Sequence, residues 1–235
     1  MTAPAGGVAP SISPQPSLLS ESSTAVAEAS RLISTRRALR QARRALSPRD
    51  QRLHTQALTR RLGKEPVFLA ARRLGAYWPE DGELDPLPLL TLARLRGRRT
   101  YLPVLRGPAR GRLWFLPYKP GEPMRANRYG IPEPRRRREH IRLAWHLDLL
   151  LVPLVGFDTE CNRLGMGGGF YDRTLTYLRQ RTHWRRPRLI GIAHACQRLE
   201  RIDPRPWDIP LDGVATEERI YWRLGTRSRG RGPST

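Results

Sequence analysis

The chain has 235 residues and carries 43 Lys and Arg residues against 21 Asp and Glu residues, a formal net charge of +22. That length suits one domain with a single apolar core. Because the arginines are spread along the chain, the charge predicts only nonspecific affinity for polyanions. With only two cysteines, Cys161 and Cys196, the chain cannot have a disulfide framework, and this indicates the reducing cytoplasm. Its longest apolar stretch is much shorter than the about 20 residues that a membrane-spanning helix needs.

The two ends of the chain are predicted to be disordered tails. Residues 1–25 are rich in Ala, Gly, Pro and Ser and hold too few large apolar side chains to offset the entropy lost on ordering. Residues 225–235, with the sequence GTRSRGRGPST, are polar, rich in glycine and basic. The sequence therefore predicts one domain over residues 26–224.

Two helices are predicted at the start of this domain. Over residues 30–46, apolar side chains recur at helical spacing and arginines fill the opposite face. Ser47 and Pro48 then have the character of an N-cap and a first helical residue, and Asp50 lies in the first turn, where the helix dipole favours a carboxylate. The second helix is predicted to end at Gly63.

A βαβ unit is predicted next. Residues 73–78 and 100–105 have the composition of strands. Between them, Asp85 and Pro86 are typical of a helix start and Gly97 of a helix end. A short strand over residues 112–117 follows.

Two connecting segments are predicted before the centre of the sheet. Residues 121–134 are expected to form a loop, because their prolines and glycines disfavour regular structure. Residues 135–146 are expected to be helical.

The second half of the domain is predicted to continue the alternation of strands and helices. Residues 148–153 form an apolar run typical of a strand that is covered on both faces, and they mark the centre of the sheet. A helical pattern over residues 170–180 and an apolar strand over residues 188–193 follow. The sequence therefore predicts a three-layer α/β fold with a largely parallel sheet and helices on both faces.

A glycine-rich segment lies where the central strand gives way to a helix, at the end of a parallel sheet where ligands bind. Arg163 supplies a planar donor for phosphate oxygens just before this segment. No Gly-Lys-Ser/Thr follows, so the segment is not a Walker A motif, and a flexible turn is the alternative interpretation. Backbone N–H groups can closely approach an anion where side chains are missing, at Gly165, Gly167, Gly168 and Gly169.

The motif NRLGMGGGFYDR, residues 162–173, resembles the signature of the 5-formyltetrahydrofolate cyclo-ligase family. Further motifs occur in the order found in bacterial members: YW at 77–78, ELD at 83–85, YLPV at 101–104, IPEP at 131–134, GIAHACQ at 191–197 and WDIP at 207–210. The resemblance covers nearly all of residues 31–221. It implies a fold similar to that of sugar-phosphate isomerases and CoA transferases, and a cytoplasmic, monomeric enzyme.

The resemblance also implies a reaction that depends on ATP and Mg²⁺. The formyl oxygen of 5-formyltetrahydrofolate takes the γ-phosphoryl group, N10 attacks the activated carbon, and 5,10-methenyltetrahydrofolate, ADP and phosphate are released. Such phosphoryl transfer depends on positioning and charge stabilisation and needs no covalent nucleophile.

The family pattern assigns a nucleotide site to the first helix and the glycine-rich segment. Arg163 and Tyr171 are the catalytic candidates. Family members often have Lys where Arg36 aligns, and the longer planar arginine would shift that phosphate contact. The residues expected to contact ATP are Arg36, Arg40, Arg163, Leu164, Gly165, Met166, Gly167, Gly168, Gly169, Phe170 and Tyr171.

The same pattern assigns a metal site and a folate site. Asp172 and Asp208 match positions that bind Mg²⁺, a hard cation suited to carboxylates and phosphate oxygens. Trp78, Glu83 and Tyr129 match positions that contact folate. Without the resemblance, Asp172 is compatible with dipole capping at a helix start, Asp208 with a turn, and Trp78 with either a core role or a ligand contact.

Two other functions are compatible with parts of the sequence. A sugar-phosphate isomerase or CoA transferase would also use a glycine-rich phosphate loop, but an isomerase would need a general base and no ATP. A basic RNA-associated protein is suggested by the four arginines at 135–138 and by the RGRG sequence near the C-terminus.

Overall fold

The computed structural model describes residues 18–107, 111–135, 138–180 and 186–225. The chain divides into two compact units, Met1–Thr35 and Arg36–Thr235. Helix α1 (Leu18–Arg44) begins before the predicted start at residue 30 and inside the predicted tail, because Leu, Ala and Glu, which favour helices, recur in its first half. Residues 1–17 and 226–235 lie outside the described residues, so the predicted domain boundaries stay predictions.

The described part of the second unit alternates helices and strands. None of the described helices is both long and apolar enough to cross a membrane. Four helices follow α1: α2 (Pro48–Leu62), α3 (Pro66–Ala70), α4 (Leu87–Leu95) and α5 (Phe170–Leu175). The strands are β1 (Arg73–Gly75), β2 (Arg99–Leu105), β3 (Leu113–Pro117), β4 (Met124–Ala126), β5 (Pro132–Pro134), β6 (Leu149–Pro153), β7 (Gly156–Phe157), β8 (Arg163–Leu164), β9 (Arg188–Ile192), β10 (Gly213–Ala215) and β11 (Ile220–Trp222).

The main sheet has seven strands in the order β11-β10-β9-β6-β1-β2-β3. The five central strands pair in parallel, and β11 and β3 add antiparallel edges. Strand β6 is the fourth of the seven, as the apolar run predicts. The parallel pair β1 and β2, with α4 between them, confirms the predicted βαβ unit.

Side chains of β6 alternate between two apolar layers, as the pleat of a strand requires. Leu149 and Leu151 pack in one cluster with Leu58 of α2. Leu150 and Val152 pack in the other, which contains side chains of α5 and of the following 3-10 turn, Thr176–Arg179. Helices therefore cover both faces of the sheet, which confirms the three-layer α/β prediction.

The loop predicted for residues 121–134 is wrong, because strands β4 and β5 form an antiparallel hairpin there. The Asn127 side chain accepts hydrogen bonds from the backbone N–H groups of Tyr129 and Ile131, at 2.8 and 3.2 Å. The Glu133 carboxylate accepts from Leu105 N of β2 at 2.9 Å and so ties the hairpin to the main sheet. Prolines are tolerated because, within the described residues, this ribbon has two strands and each pairs with another strand on one side only.

The helix predicted for residues 135–146 is also wrong. The described residues there form only the 3-10 turns Arg138–His140 and Ala144–His146. Between the turns, Arg142 exchanges two backbone hydrogen bonds with Phe115 of β3, at 2.8 and 2.9 Å. This pairing holds the chain extended, so a helix cannot form there.

Candidate active site

The glycine-rich loop, residues 165–169, connects the β7–β8 hairpin to α5. Gly167 and Gly169 adopt φ values of 95° and 61°, in the left-handed region that favours glycine. A Cβ atom added to Gly165 or Gly167 would have no neighbour within 4 Å. Among the described residues, no backbone N–H group of this loop donates a hydrogen bond. The loop therefore offers unpaired N–H groups to solvent, as an anion-binding loop requires.

Arg36 of α1 reaches the glycine-rich loop, as the family pattern implies. Its Nε atom donates a hydrogen bond to the carbonyl oxygen of Gly165 at 2.8 Å. Burial lowers the pKa of the Arg36 guanidinium, and the nearby positive charge of Arg205 lowers it further. Two like charges beside unpaired N–H groups create a positive potential that favours a bound anion.

Arg40 lies one helical turn further along and is bound to Asp81. The Arg40 Nε atom lies 2.7 Å from Asp81 Oδ2, and Arg43 and Arg44 bind the same carboxylate. Burial alone would raise the pKa of Asp81, but hydrogen bonds from the three arginines lower it below its ordinary value. Asp81 also adopts a φ of 57°, which a residue other than glycine rarely does.

Asp172 and Asp208 lie on either side of Ile209. The Asp172 carboxylate accepts from Ile209 N at 3.3 Å and from the guanidinium of Arg163, which also donates to the carbonyl oxygen of Ile209. Asp208 accepts from the backbone N–H of Arg205 at 2.8 Å. The Arg163 side chain is only 5% exposed and is thus committed to Asp172. Asp208 and Arg163 also line a cavity of about 220 Å³.

Glu83 is mostly buried, with 13% of its side chain exposed, and lies beside Arg43 and near Tyr171. Its Oε1 atom lies 3.6 Å from the Arg43 guanidinium, and burial raises the pKa of Glu83 to about 7 although Arg43 opposes the increase. Burial also raises the pKa of Tyr171 and of Tyr77, and the charge of Glu83 adds to both increases. A predicted folate residue and a predicted nucleotide residue therefore share one region.

The two predicted aromatic contacts differ in position. Tyr129 is 56% exposed, and its ring meets Phe170 edge-on with 6.1 Å between centroids, so the β4–β5 connection reaches the start of α5. Trp78 is half-buried and packs edge-on against Tyr118, 6.4 Å away, beside the core. Of the other loop residues, Met166 is 55% exposed and Leu164 is buried.

Sequence reasoning missed Arg43, whose side chain is fully buried beside Asp81 and Glu83. Arg43 donates to the carbonyl oxygen of Asp81 at 2.9 Å and contacts its carboxylate at 2.8 Å. A signal was available, because Arg36, Arg40 and Arg43 are spaced i, i+4 and i+7 and so share one helix face. Asp81 and Arg205 carry no comparable signal.

Comparison with known proteins identifies similar chains. The model of the 5-formyltetrahydrofolate cyclo-ligase family matches residues 28–217. The 5-formyltetrahydrofolate cyclo-ligase of Escherichia coli K12 is 41% identical over 184 residues, 78% of this chain and 98% of that protein. That of Mycolicibacterium smegmatis is 30% identical over 154 residues, 64% of this chain and 76% of that one. The NMR structure of Aquifex aeolicus 5,10-methenyltetrahydrofolate synthetase matches with a TM-score of 0.68 and 28% identity, over 87% of this chain and 96% of that chain.

Proposed function

Because the chain belongs to the 5-formyltetrahydrofolate cyclo-ligase family, we propose that it converts 5-formyltetrahydrofolate to 5,10-methenyltetrahydrofolate at the expense of ATP. The observation that carries this proposal is the set of unpaired N–H groups at 165–169 next to Arg36, with Tyr171 of the adjoining helix near the mostly buried Glu83. A loop suited to phosphate would thus lie near polar side chains that can contact a second substrate.

The chemistry explains why both substrates must meet here. The formyl carbon is amide-like and reacts poorly with N10. Transfer of the γ-phosphoryl group breaks its bond to ADP and forms a bond to the formyl oxygen. N10 then attacks the carbon and loses its proton, and the C–O bond breaks as phosphate leaves. The protein must therefore hold the terminal phosphorus of ATP against the formyl oxygen.

The nucleotide phosphates would bind the N–H groups of residues 165–169 and the guanidinium of Arg36, with Arg205 adding positive charge. The Tyr171 hydroxyl would donate to the transferring phosphoryl group, because its raised pKa keeps it protonated. Arg163 is engaged by Asp172, so we propose that it orients this carboxylate and does not contact phosphate directly. Arg40 would support the site through Asp81.

The residues around Ile209 fit a Mg²⁺ ion. Asp172 uses one carboxylate oxygen for its hydrogen bonds and Asp208 uses one for Arg205 N, and each keeps a second oxygen with no partner among the described residues. One or two carboxylates with phosphate oxygens and water are the usual environment of Mg²⁺ in proteins. When bound, Mg²⁺ would neutralise phosphate charge. Asp172 and Asp208 would hold it.

We expect Asp172→Asn and Asp208→Asn each to raise the Mg²⁺ concentration needed for half-maximal activity by about tenfold or more, since each removes a charged ligand. Initial rates at fixed ATP and increasing Mg²⁺ measure this. Asp203→Asn is the control, because Asp203 is 86% exposed and forms an ion pair with Arg201, away from the proposed ligands. An unchanged Mg²⁺ requirement in both variants would contradict the assignment.

Folate would bind beside Glu83, whose ionised carboxylate only accepts hydrogen bonds and suits the N–H groups of the reduced pterin. Trp78 and Tyr129 would supply flat apolar surface. Because the pKa of Glu83 is raised to about 7, this carboxyl is protonated below that pH. We expect kcat/KM for the folate to rise between pH 6 and pH 8.

This pH dependence should disappear in Glu83→Gln, which stays neutral at every pH. Measurements of kcat/KM at constant ionic strength test it. Glu160→Gln is the control, since Glu160 is an exposed carboxylate and this variant should keep the wild-type profile, whereas the charge of Glu80 itself helps to raise the pKa of Glu83. If kcat/KM of Glu83→Gln still rose between pH 6 and pH 8 as in the wild type, the titration of another group would cause the pH dependence.

The activity itself can be tested with the purified chain, 5-formyltetrahydrofolate, ATP and Mg²⁺, by following the absorbance of the methenyl product. We expect product only when all three are present, with one ADP formed per product. Isomerase or transferase activity without ATP consumption would instead favour the other enzymes suggested by the fold. RNA binding that is lost at moderate salt and leaves cyclisation unchanged would mark the +22 charge as incidental to function.

We further propose a monomer that acts in the cytoplasm. The monomer follows from the resemblance to the family, and both cysteines are free thiols, which suits a reducing compartment. The mass in solution, measured by light scattering at the assay concentration, tests the monomer.

A further inference from the structure

Two histidines and a glutamate from distant parts of the chain meet outside the site described above. His54 belongs to α2, His194 follows β9, and Glu217 lies between β10 and β11. The Nδ1 atoms of the two histidines are 2.9 Å apart, and Glu217 Oε1 lies 3.4 Å from Nδ1 of His54. One donor atom from each residue lies within 4.8 Å of the other two.

The surrounding backbone holds this cluster in place. Ala195 N donates to both carboxylate oxygens of Glu217, at 3.0 and 3.1 Å, and His194 N donates to the Gln197 side chain at 2.9 Å. The Glu217 carboxylate and the backbone of His194 are therefore held by groups outside the cluster. A carboxylate held by surrounding hydrogen bonds is typical of metal sites.

His194 has an environment that an ordinary core histidine avoids. Its side chain is fully buried, and its Nε2 atom makes no hydrogen bond of standard geometry among the described residues, although the backbone of Gly82 lies nearby. In the pair of Nδ1 atoms only one imidazole can donate to the other, whereas a metal ion between them would bind both nitrogens and offset part of the free energy that burial of the His194 ring costs.

The donor atoms and their spacing fit a transition metal better than Mg²⁺ or Ca²⁺. Two imidazole nitrogens and one carboxylate oxygen are a common Zn²⁺ ligand set, with bonds of about 2.0–2.2 Å. Tetrahedral bonds of that length separate neighbouring donor atoms by about 3.3 Å. The observed 2.9 and 3.4 Å lie on either side of this value. The His54 side chain is 24% exposed, so an ion can arrive from solvent.

We propose that His54, His194 and Glu217 bind a divalent transition metal ion, best Zn²⁺, through both Nδ1 atoms and the Glu217 carboxylate, with water as the fourth ligand. The ion would connect α2 to the segments that follow β9 and β10, which lie 140 or more residues later in the sequence. Its role would be to stabilise this part of the fold. It is distinct from the acids around Ile209, which lie on other elements.

The site can be tested with the full chain, free of any polyhistidine tag, in excess Mg²⁺. We expect equilibrium dialysis with micromolar Zn²⁺ and elemental analysis to find one Zn²⁺ per chain, and the thermal midpoint to rise on binding. Co²⁺ in place of Zn²⁺ should give the strong visible absorption of a four-coordinate ion. His54→Ala and Glu217→Gln should each weaken Zn²⁺ binding by more than the about 10- to 100-fold that loss of a supporting hydrogen bond costs at metal sites.

Two variants control for other ligands. His140→Ala removes an exposed histidine, and Cys196→Ser removes the exposed thiol next to Ala195; both should keep the wild-type affinity. Circular dichroism of metal-free His54→Ala and Glu217→Gln establishes that they fold. Absence of bound Zn²⁺ in the wild type, or equal affinity in wild type and both ligand variants, would overturn the proposal and leave a hydrogen-bonded histidine pair.

Discussion

Arg43→Met should lower the free energy of unfolding by about 3–5 kcal/mol, the usual cost of breaking a buried ion pair from one side. The Arg43 side chain has no exposed surface and bridges Asp81, Glu83 and the carbonyl oxygen of Leu154. Methionine would leave two carboxyl groups and a carbonyl oxygen in low-dielectric surroundings without this partner. Urea unfolding followed by circular dichroism measures the change.

Arg44→Met is the matched control, because Arg44 binds the same Asp81 carboxylate but is 56% exposed. Solvent screens that ion pair, so its loss should cost about 1 kcal/mol or less. Asp81 would keep Arg40 and Arg43 as partners in this variant. Equal losses in the two variants would show that burial of Arg43 does not control the energetics.

Gly165→Ala should lower kcat/KM for ATP about 100-fold while the free energy of unfolding changes by less than about 0.5 kcal/mol. Gly165 does not use the left-handed region, and an added Cβ would meet no atom within 4 Å, so the folded chain accommodates alanine. The methyl group would instead occupy space next to the N–H groups where we propose that phosphate binds. Steady-state kinetics and urea unfolding on the same preparation test both parts.

Gly97→Ala should instead lower the free energy of unfolding and leave kcat/KM for ATP unchanged. Gly97 follows α4 at a φ of 71° with open space around it, so alanine is strained by about 1–2 kcal/mol without touching any neighbour. Its kinetics should stay at the wild-type level. If Gly165→Ala kept full activity, the phosphates would have to bind away from this loop.

Local features of the chain were enough to predict most of the secondary structure. Ser47 caps α2 by accepting a hydrogen bond from Asp50 N at 3.1 Å, and α2 ends before Gly63 as predicted. The apolar run of β6 predicted the centre of the sheet because a strand buried on both faces has no polar side. These signals lie within a few residues of the element that they specify, so one sequence suffices.

The wrong predictions share a different physical cause. The β4–β5 hairpin depends on Glu133 binding a backbone N–H of β2, and the extended backbone at Arg142 depends on Phe115 of β3. Both contacts join residues about 27 positions apart, and no local propensity encodes them. Tertiary contacts outweighed the turn-forming prolines in the first case and the helical composition in the second.

The candidate site likewise has some features that the sequence predicts and others that depend on tertiary contacts. Residues 162–173 were enough to predict the family, the glycine-rich loop and Asp172 as a Mg²⁺ ligand, because the groups of a phosphate-binding loop come from consecutive residues. Only the tertiary structure decided that Arg163 is committed to Asp172, that three arginines converge on Asp81, and that Arg43 is buried. Burial and charge pairing depend on distances between chain segments, and those distances exist only once the helices pack on the sheet.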